Sequence, residues 1–595
     1  VKLPSISYIV KNATGTYLRF PAAILVACVG TVAAVNLVPN ESDPAVSWLM
    51  SICFQASLGI SLLMTAVLVA ERRGWNTLLV QAAGVLLIAA YGFTLPTNIT
   101  SAPFAVTYRH LILLVSAHLL VAFAPFIGDR DTSGFWEYNK TLFLRFAMAA
   151  LFSGVLFLGL TVALASIDNL FGVHIKGERY FQLWLIMAGV FNTWFFLAGV
   201  PERLGENGTA TPYPKGLKVF TQYVLLPLVT VYVVILYAYA AKIILEWEWP
   251  QGWVSRLILG FSITGILSLL LVHPLKEMEE HRWIRMVWTW YYRLLVPLVV
   301  LLLLATFRRI NEYGITESRY LGVVLACWLA GITLYFVFSR QKNIKIIPTS
   351  LCIIGLGIAW GPWGAFGVAE RSQQNRLESL LVRNGILVDG TVRKAPVRIA
   401  VKDAEDIRSI VLYFVQTHGT APLQPWFSNR LDSIPAGRYT YAMDKASFIT
   451  GLMGIEPEVP GGKPAWPYYS SSMATSVEGY SYIADVGATP AEYAIPGHGI
   501  IVVESPSDTL CVVVRDKLPS GERVVVDLRP LCERLSRPDP MRSNGNLSSE
   551  ELTAEASGEH LRVKVVLTHL NCPREDEKTP TPNFRGVVLI GYRQQ

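Results

Sequence analysis

The chain has 595 residues, 52% of them hydrophobic and only 16% charged, with a mean hydropathy of +0.40 and a formal net charge of +7. Soluble domains hold roughly 45–50% apolar and about 25% charged residues, so this balance excludes an ordinary soluble protein and a disordered one. No basic stripe with interleaved aromatics accompanies the positive charge, which excludes nucleic acid as a partner and fits loops facing anionic membrane lipid.

A membrane-crossing helix needs about 20 apolar residues at about 1.5 Å rise each. Eleven segments before Ala369 meet or approach that length: Phe20–Val38, Val46–Ala70, Thr77–Leu95, Ala105–Ile127, Leu142–Ile167, Phe181–Val200, Val219–Leu245, Val254–Val272, Trp290–Phe307, Tyr320–Phe338 and Ser350–Val368. Arg293 interrupts the ninth, near an end from which it can snorkel to the interface. Fourteen of the 16 tryptophans precede Glu370. The clusters Trp247, Trp249, Trp253 and Trp283, Trp288, Trp290 fall at segment ends, where indoles prefer the headgroup region. Phe20–Val38 leads directly into further spans and lacks a small-residue cleavage site, so it is expected to act as an uncleaved targeting signal.

Lysine and arginine in short loops fix the expected orientation. With the N-terminus in the cytoplasm, 18 fall on the cytoplasmic side, among them Arg19, Arg72, Lys140, Lys276 and Lys345. Eight fall opposite, including Arg109, Arg308, Arg309 and Arg319. An odd span number then places the C-terminal domain outside.

No Asp or Glu occupies the centre of a drawn span, which disfavours a carrier driven through a buried carboxylate. His118 and Asn192 are the notable intramembrane polar residues, with Gln55 and Gln81; hydrogen bonding to a neighbouring helix is the plain reading of each, a ligand or proton role the sharper one. Pro227 and Pro297 sit in similar apolar contexts and mark either packing kinks or matched helix breaks of a transporter. Gly357 and Gly361 are spaced for close helix packing in the last span.

Between the ninth and tenth spans lies the sharpest local pattern, Arg309 to Tyr320. Gly314 permits a tight turn, Thr316 can cap the next helix, and Glu312 and Glu317 can neutralise Arg308, Arg309 and Arg319. Arg309, Tyr313, Thr316, Glu317 and Arg319 are the candidate ligand-binding residues, either as a salt-bridged corner or as a docking site for an anionic lipid, a glycan or an envelope protein.

From Glu370 the character changes. Arg376–Leu387 reads as a short amphipathic helix, and Asp403 as the N-cap of a second one burying Ile407, Ile410, Val411, Phe414 and Val415. A Pro/Gly/Ser-rich stretch around 455–472 precedes strand-like runs at Tyr480–Ile483, Gly499–Val503, Thr509–Val514, Arg523–Asp527, Leu561–His569 and Gly586–Tyr592. The expected fold is therefore a mainly α-helical polytopic membrane domain (1–369), a helical and loop connection (370–478), and an extracytoplasmic domain ending in an antiparallel β-sheet or sandwich (479–595). Cys511, Cys532 and Cys572 lie in the exported part, where one disulfide can form and one thiol remains.

The Arg309–Tyr320 pattern, Phe135-Trp136-x-Tyr138-Asn139, Asn375-Arg376-Leu377 with Asn384-Gly385-Ile386-Leu387, and the closing Val587–Tyr592 together resemble a bacterial membrane family known only as domain of unknown function 4153, over nearly the whole chain. The resemblance implies a bacterial cytoplasmic-membrane protein, in an envelope like that of the Bacteroidetes; it implies no activity and no functional residue.

Enzyme signatures are thin. Ser472, Asp485 and His498 could form a hydrolase trio, but no Gly-x-Ser-x-Gly elbow accompanies them. Glu277, Glu279, Glu280 and His281 after His273 lack metal-ligand spacing, and no phosphate-binding loop appears, so no catalytic residue, metal or cofactor is expected. Two classes of function remain: an envelope-associated binding, scaffold or sensing protein acting through its exported domain, or a transporter or lipid-handling protein with a path between its helices.

Overall fold

In the computed structural model, the described residues are 6–40, 46–99, 102–129, 131–202, 213–246, 253–277, 282–339, 342–396, 399–428, 430–431, 442–455, 468–469, 477–486, 491–495, 499–504, 510–516, 521–535, 547–571 and 583–592. The chain divides into two compact units, Val1–Arg438 and Tyr439–Gln595.

The first unit is helical. Helices α1 (Ile6–Arg19) and α2 (Pro21–Leu37) meet at a 97° bend, at which Pro21 is the first residue of the new helix. Helix α3 (Trp48–Arg73) closes on Gly74 in the left-handed region, and α4 (Thr77–Phe93) opens on Asn76, whose side chain accepts from the Leu78 and Leu79 amides. There follow α5 (Phe104–Phe123), the 40-residue α6 (Thr132–Phe171) capped by Asp131, α7 (Gly177–Ala198) and α8 (Lys215–Glu246). Helices α7 and α8 each contain one π-helical turn, Met187–Phe191 and Thr221–Leu225. The set is completed by α9 (Trp253–Leu271), α10 (Arg282–Tyr313), α11 (Glu317–Phe338) and α12 (Ile346–Ala359).

Among the described residues eight helices are long and apolar enough to cross a membrane, nine if the bent pair counts as one span. The other two expected segments form the shorter α4 and α12, of 17 and 14 residues. Contacts at the helix ends nonetheless show both running from one end of the bundle to the other. At one end Arg19 pairs with Glu71 and donates to the Val200 and Pro201 carbonyls, Arg72 pairs with Asp129, and the Lys345 ammonium donates to the Asp129 carbonyl. At the other, Ser47 donates to the Thr97 carbonyl and Arg109 to that of Ala359. The loops that meet are in each case those assigned by charge to one side.

Several expectations are corrected. The last span does not continue to Val368: α12 stops at Ala359, the chain turns through Trp360–Gly364 around Pro362, and α13 (Ala365–Arg383) begins. Gly357 and Gly361 are thus not one helix face. Gly361 has φ +81°, and Gly355 is the glycine in close approach, where a Cβ would lie 2.3 Å from the Ser116 hydroxyl of α5. Pro297 lies within a continuous α10, and Pro227 follows a π-turn in a continuous α8, so neither marks an unwound segment. Helix α13 starts eleven residues before the expected Arg376, and Leu387 instead enters a small hairpin, β1 (Leu387–Val388) with β2 (Thr391–Val392). Helix α14 (Val401–Thr417) begins before Asp403, which sits in its first turn and accepts from Asn384 and Arg383 rather than capping the helix. Its inner face buries Ile407, Ile410, Val411 and Phe414 as the spacing required, with Val415 half-buried.

The second unit contains α15 (Ala442–Leu452), α16 (Arg529–Leu535) and two antiparallel sheets. Its strands are β3 (Tyr468–Tyr469), β4 (Tyr482–Val486), β5 (Ala491–Ile495), β6 (Gly499–Glu504), β7 (Cys511–Asp516), β8 (Arg523–Asp527), β9 (Thr553–Ser557), β10 (Leu561–Asn571) and β11 (Asn583–Tyr592). One sheet runs β3-β10-β11-β4 with β9 also on β10, the other β5-β6-β7-β8. Alternating residues of both, such as Val563, Val565, Val588 and Ile590 against Ile501, Val512, Val514 and Val526, share one core, which makes the unit a sandwich. Cys532 is disulfide-bonded, and Cys511 takes no part in a disulfide.

Candidate functional site

Two places in the first unit combine unusual geometry with residues singled out above. The first is a cavity of about 610 Å³ lined by residues of α5, α6, α8, α9, α11 and α12. Its wall is almost wholly apolar, with Leu119, Leu259, Ile266, Leu270, Leu329 and Leu351 among the lining residues. Phe143, Phe220, Ile263 and Leu267 also line it and are themselves exposed on the outside of the bundle, so the cavity opens sideways onto the surface that faces lipid. The polar groups at its edge are already satisfied. Trp136 donates its indole N–H to the Leu270 carbonyl at 2.7 Å, Asn139 donates to the Ala122 and Phe135 carbonyls, and Lys140 pairs with Glu137, with its ammonium 5.2 Å from the Trp136 ring centre. A cavity without unsatisfied polar groups offers water nothing and suits an apolar occupant.

The second place is the turn from α10 to α11. Gly314 takes φ +70°, which lets the Tyr313 and Gly314 carbonyls converge on the Arg319 guanidinium at 3.1 and 2.9 Å, while the Tyr313 ring lies beneath it at 5.3 Å. From α13, Gln373 donates to the Tyr313 and Ile315 carbonyls, and Ser372 accepts from the Ile315 amide. Thr316 occupies the cap position without a side-chain cap bond, its hydroxyl lying 3.3 Å from that of Ser318. Arg308 pairs with Glu312 at 2.8 Å, as expected, whereas Arg309 joins no ion pair among the described residues.

Glu317 does not neutralise the arginines. Its buried carboxylate turns the other way and accepts the Tyr413 O–H at 2.9 Å from either oxygen, with His418 Nε2 at 2.7 Å. The same Nε2 is 3.0 Å from the Tyr413 oxygen, and His418 Nδ1 is 3.5 Å from Glu370. Burial, and then the adjoining Glu317 carboxylate, push the Tyr413 phenol well above its ordinary value. This locks α14 onto the start of α11. The turn thus brings Tyr313, Gly314 and Arg319 together and separates Glu317 from them. Tyr413, His418 and Glu370 were missed, and nothing in their spacing distinguishes them from an ordinary helix end.

His118 lies 3.2–3.3 Å from the Ser61 hydroxyl of α3 and 2.8 Å from the Leu114 carbonyl of its own helix. Asn192 follows the π-turn of α7, and its buried Oδ1 has no hydrogen-bond partner among the described residues. His110 is buried in the bundle, between Ser57 and Tyr91 at 3.0 Å each and stacked on Phe54. Ser472 and His498 of the hydrolase trio, and Glu279, Glu280 and His281, lie outside the described residues. Among the described residues no group of three or more His, Cys, Asp or Glu is placed to hold a metal.

A family model, Domain of unknown function (DUF4153), matches residues 18–378. The chain belongs to that family. The match runs from the last turn of α1 into α13 and takes in the cavity, the α10–α11 turn and Glu317; Asn384–Leu387 and Val587–Tyr592 lie beyond it, so it covers less of the chain than the motifs implied. An uncharacterised protein of Pasteurella multocida (strain Pm70) is 26% identical over 332 residues, 54% of this chain. The matched stretch spans about half, 53%, of that relative's length. No solved structure matches the chain significantly.

Proposed function

We propose that this family member is a lipid-handling protein of a bacterial cytoplasmic membrane, whose helical unit takes one acyl chain of a membrane lipid into the cavity between α6, α8 and α9. The observation that carries the reading is the apolar-lined cavity of about 610 Å³ with exposed apolar residues at its mouth. Its size falls within the roughly 300–1,000 Å³ of small-molecule sites. The ordered Trp136–Lys140 edge gives one end of such a chain a polar boundary. The test fills the cavity: Ala122→Phe and Leu267→Trp, purified at equal thermal stability, should each retain less lipid by native mass spectrometry than wild type. Equal lipid in all three proteins removes the reading.

The second reading, a binding or sensing role for an exported C-terminal unit, is favoured by that unit's own core and by the disulfide at Cys532, since disulfides persist on the oxidising side of a membrane. Together with the loop charges, the disulfide supports a cytoplasmic N-terminus and an extracytoplasmic C-terminal unit.

A further inference from the structure

Arg109 stands in the second turn of α5, at the end of the bundle away from the Lys140 edge; Leu119 and Ala122, which line the cavity, lie ten to thirteen residues further along, about 15–20 Å at helical rise. Its guanidinium carbon lies over two rings, with centres at 5.0 Å for Trp360 and 4.9 Å for Phe366. Its Nε donates to the Ala359 carbonyl at 3.1 Å. The Tyr91 hydroxyl is engaged with His110 at 3.0 Å. Among the described residues no carboxylate pairs with Arg109, and the turn 359–366 contains no acidic residue. Arg371 brackets the same turn from α13, donating to the Gly367 and Pro362 carbonyls. Trp360 and Trp363, 42% and 67% exposed, stand beside it as indoles do at a headgroup boundary.

An arginine near the end of an apolar helix reaches the headgroup boundary, where anionic lipid is the counter-charge at hand. With Nε donating to a carbonyl and two rings packed near the guanidinium, the terminal nitrogens are left to donate to an anion, and their fork suits two oxygens of a phosphate.

We propose that Arg109, clamped by Trp360 and Phe366, is a recognition site for the phosphate of an anionic phospholipid headgroup. It is separate from the cavity and does not depend on a chain entering it. The α10–α11 turn is less suited to this role, because the Arg319 fork is already turned onto the Tyr313 and Gly314 carbonyls.

The experiment reconstitutes the full chain in vesicles of phosphatidylcholine with a minor share of phosphatidylglycerol and reads retained lipid by native mass spectrometry. Wild type should enrich phosphatidylglycerol, and Arg109→Gln should lose about tenfold of that enrichment, the scale of one charge-assisted contact. Arg109→Lys should recover only part of it, because an ammonium lacks the fork. If Arg109→Gln fails to fold, Trp360→Leu, which removes one clamp and keeps the charge, decides by the same readout. Added inorganic phosphate should leave the bound phosphatidylglycerol in place; its displacement would overturn the lipid as the source of the phosphate. Equal enrichment in wild type and Arg109→Gln, or in wild type and Trp360→Leu, at matched stability overturns the site. The cavity variant Ala122→Phe should keep the headgroup preference whether or not it loses lipid, so the two readings fail separately.

Discussion

Replacing Glu317 by Gln tests whether the α11–α14 lock holds the fold. The carboxylate is the acceptor for both the Tyr413 hydroxyl at 2.9 Å and His418 Nε2 at 2.7 Å, and the Glu317 and His418 side chains are only 7% and 5% exposed. A glutamine of equal shape keeps one oxygen but turns an amide donor toward these donors. Hydrogen bonds to a charged group are worth about 1.5–3 kcal/mol each, and breaking a buried pair costs about 3–5 kcal/mol. A loss of about 3 kcal/mol is therefore expected, against at most about 1 kcal/mol for the exposed Arg308–Glu312 pair. Thermal melting in detergent of wild type, Glu317→Gln, His418→Gln and the double variant measures it, with the double variant falling short of additivity. The phenol gives the pH dependence. Its value in the fold is raised above the ordinary value of about 10, so its contribution is present in full below that pH and is lost as pH rises toward the folded value. Tyr413→Phe should flatten the alkaline limb of the melting curve. Unchanged melting of Glu317→Gln, or simple additivity with His418→Gln, would refute the lock.

Gly314→Ala should destabilise by roughly 1–2 kcal/mol from the left-handed backbone alone. It should cost more because the new Cβ would stand 2.9 Å from Gln373 Nε2, and melting beside Gly216→Ala, which meets nothing within 4 Å, checks it. In the second unit Gly586→Ala would place a Cβ 2.2 Å from the Val566 carbonyl oxygen, so β10 and β11 must part; proteolysis within Tyr439–Gln595 should accelerate. The Asp403 carboxyl is held below its ordinary value by the Asn384 hydrogen bond and then by Arg383, so its contribution is present above about pH 4 and is lost as pH falls below it. Asp403→Asn should remove that acid-side loss from the melting profile. An alkaline phosphatase fused at the C-terminus should be active in intact cells if the C-terminal unit is exported; activity of a cytoplasmic reporter there instead would reject the orientation.

The helices were legible because an apolar run of that length has few other fates, and the sandwich because Arg523–Asp527 and Leu561–His569 alternate or bury continuously between turn residues. What failed had a local cause overridden by composition. Trp360-Gly361-Pro362-Trp363-Gly364 carries no charge and so extends the uncharged run before it, yet a proline among glycines ends a helix, and the run Ser350–Val368 hid that break. β5, Ala491–Ile495, was missed because it lacks a run of β-branched residues. The lock joins residues 96 positions apart, Glu317 and Tyr413, and the cavity is a defect of packing between six helices; neither leaves a periodic trace in one sequence.

Helices α5 and α12 reach both the cavity and Arg109, and α11 joins the cavity to the Glu317 lock. α5 carries Arg109 near its start and Leu119 and Ala122 on the cavity; α12 carries Ile347, Pro348 and Leu351 on the cavity and ends at the Ala359 carbonyl that receives Arg109; α11 carries Leu325, Trp328 and Leu329 on the cavity and begins at Glu317. They are joined along their lengths by the Trp328 indole donating to Ser350 at 2.9 Å and by Cys352 against the Ser116 carbonyl at 3.3 Å, next to the close approach of Gly355. Close-packed helices yield as bodies rather than residue by residue. A substitution that tests the cavity alone must therefore point into it, as at Ala122 or Leu267, and leave the Gly355–Ser116 contact untouched. A larger residue at Gly355 would move the Ala359 end of α12 and with it Arg109, so that a change in lipid content there would report on both sites at once.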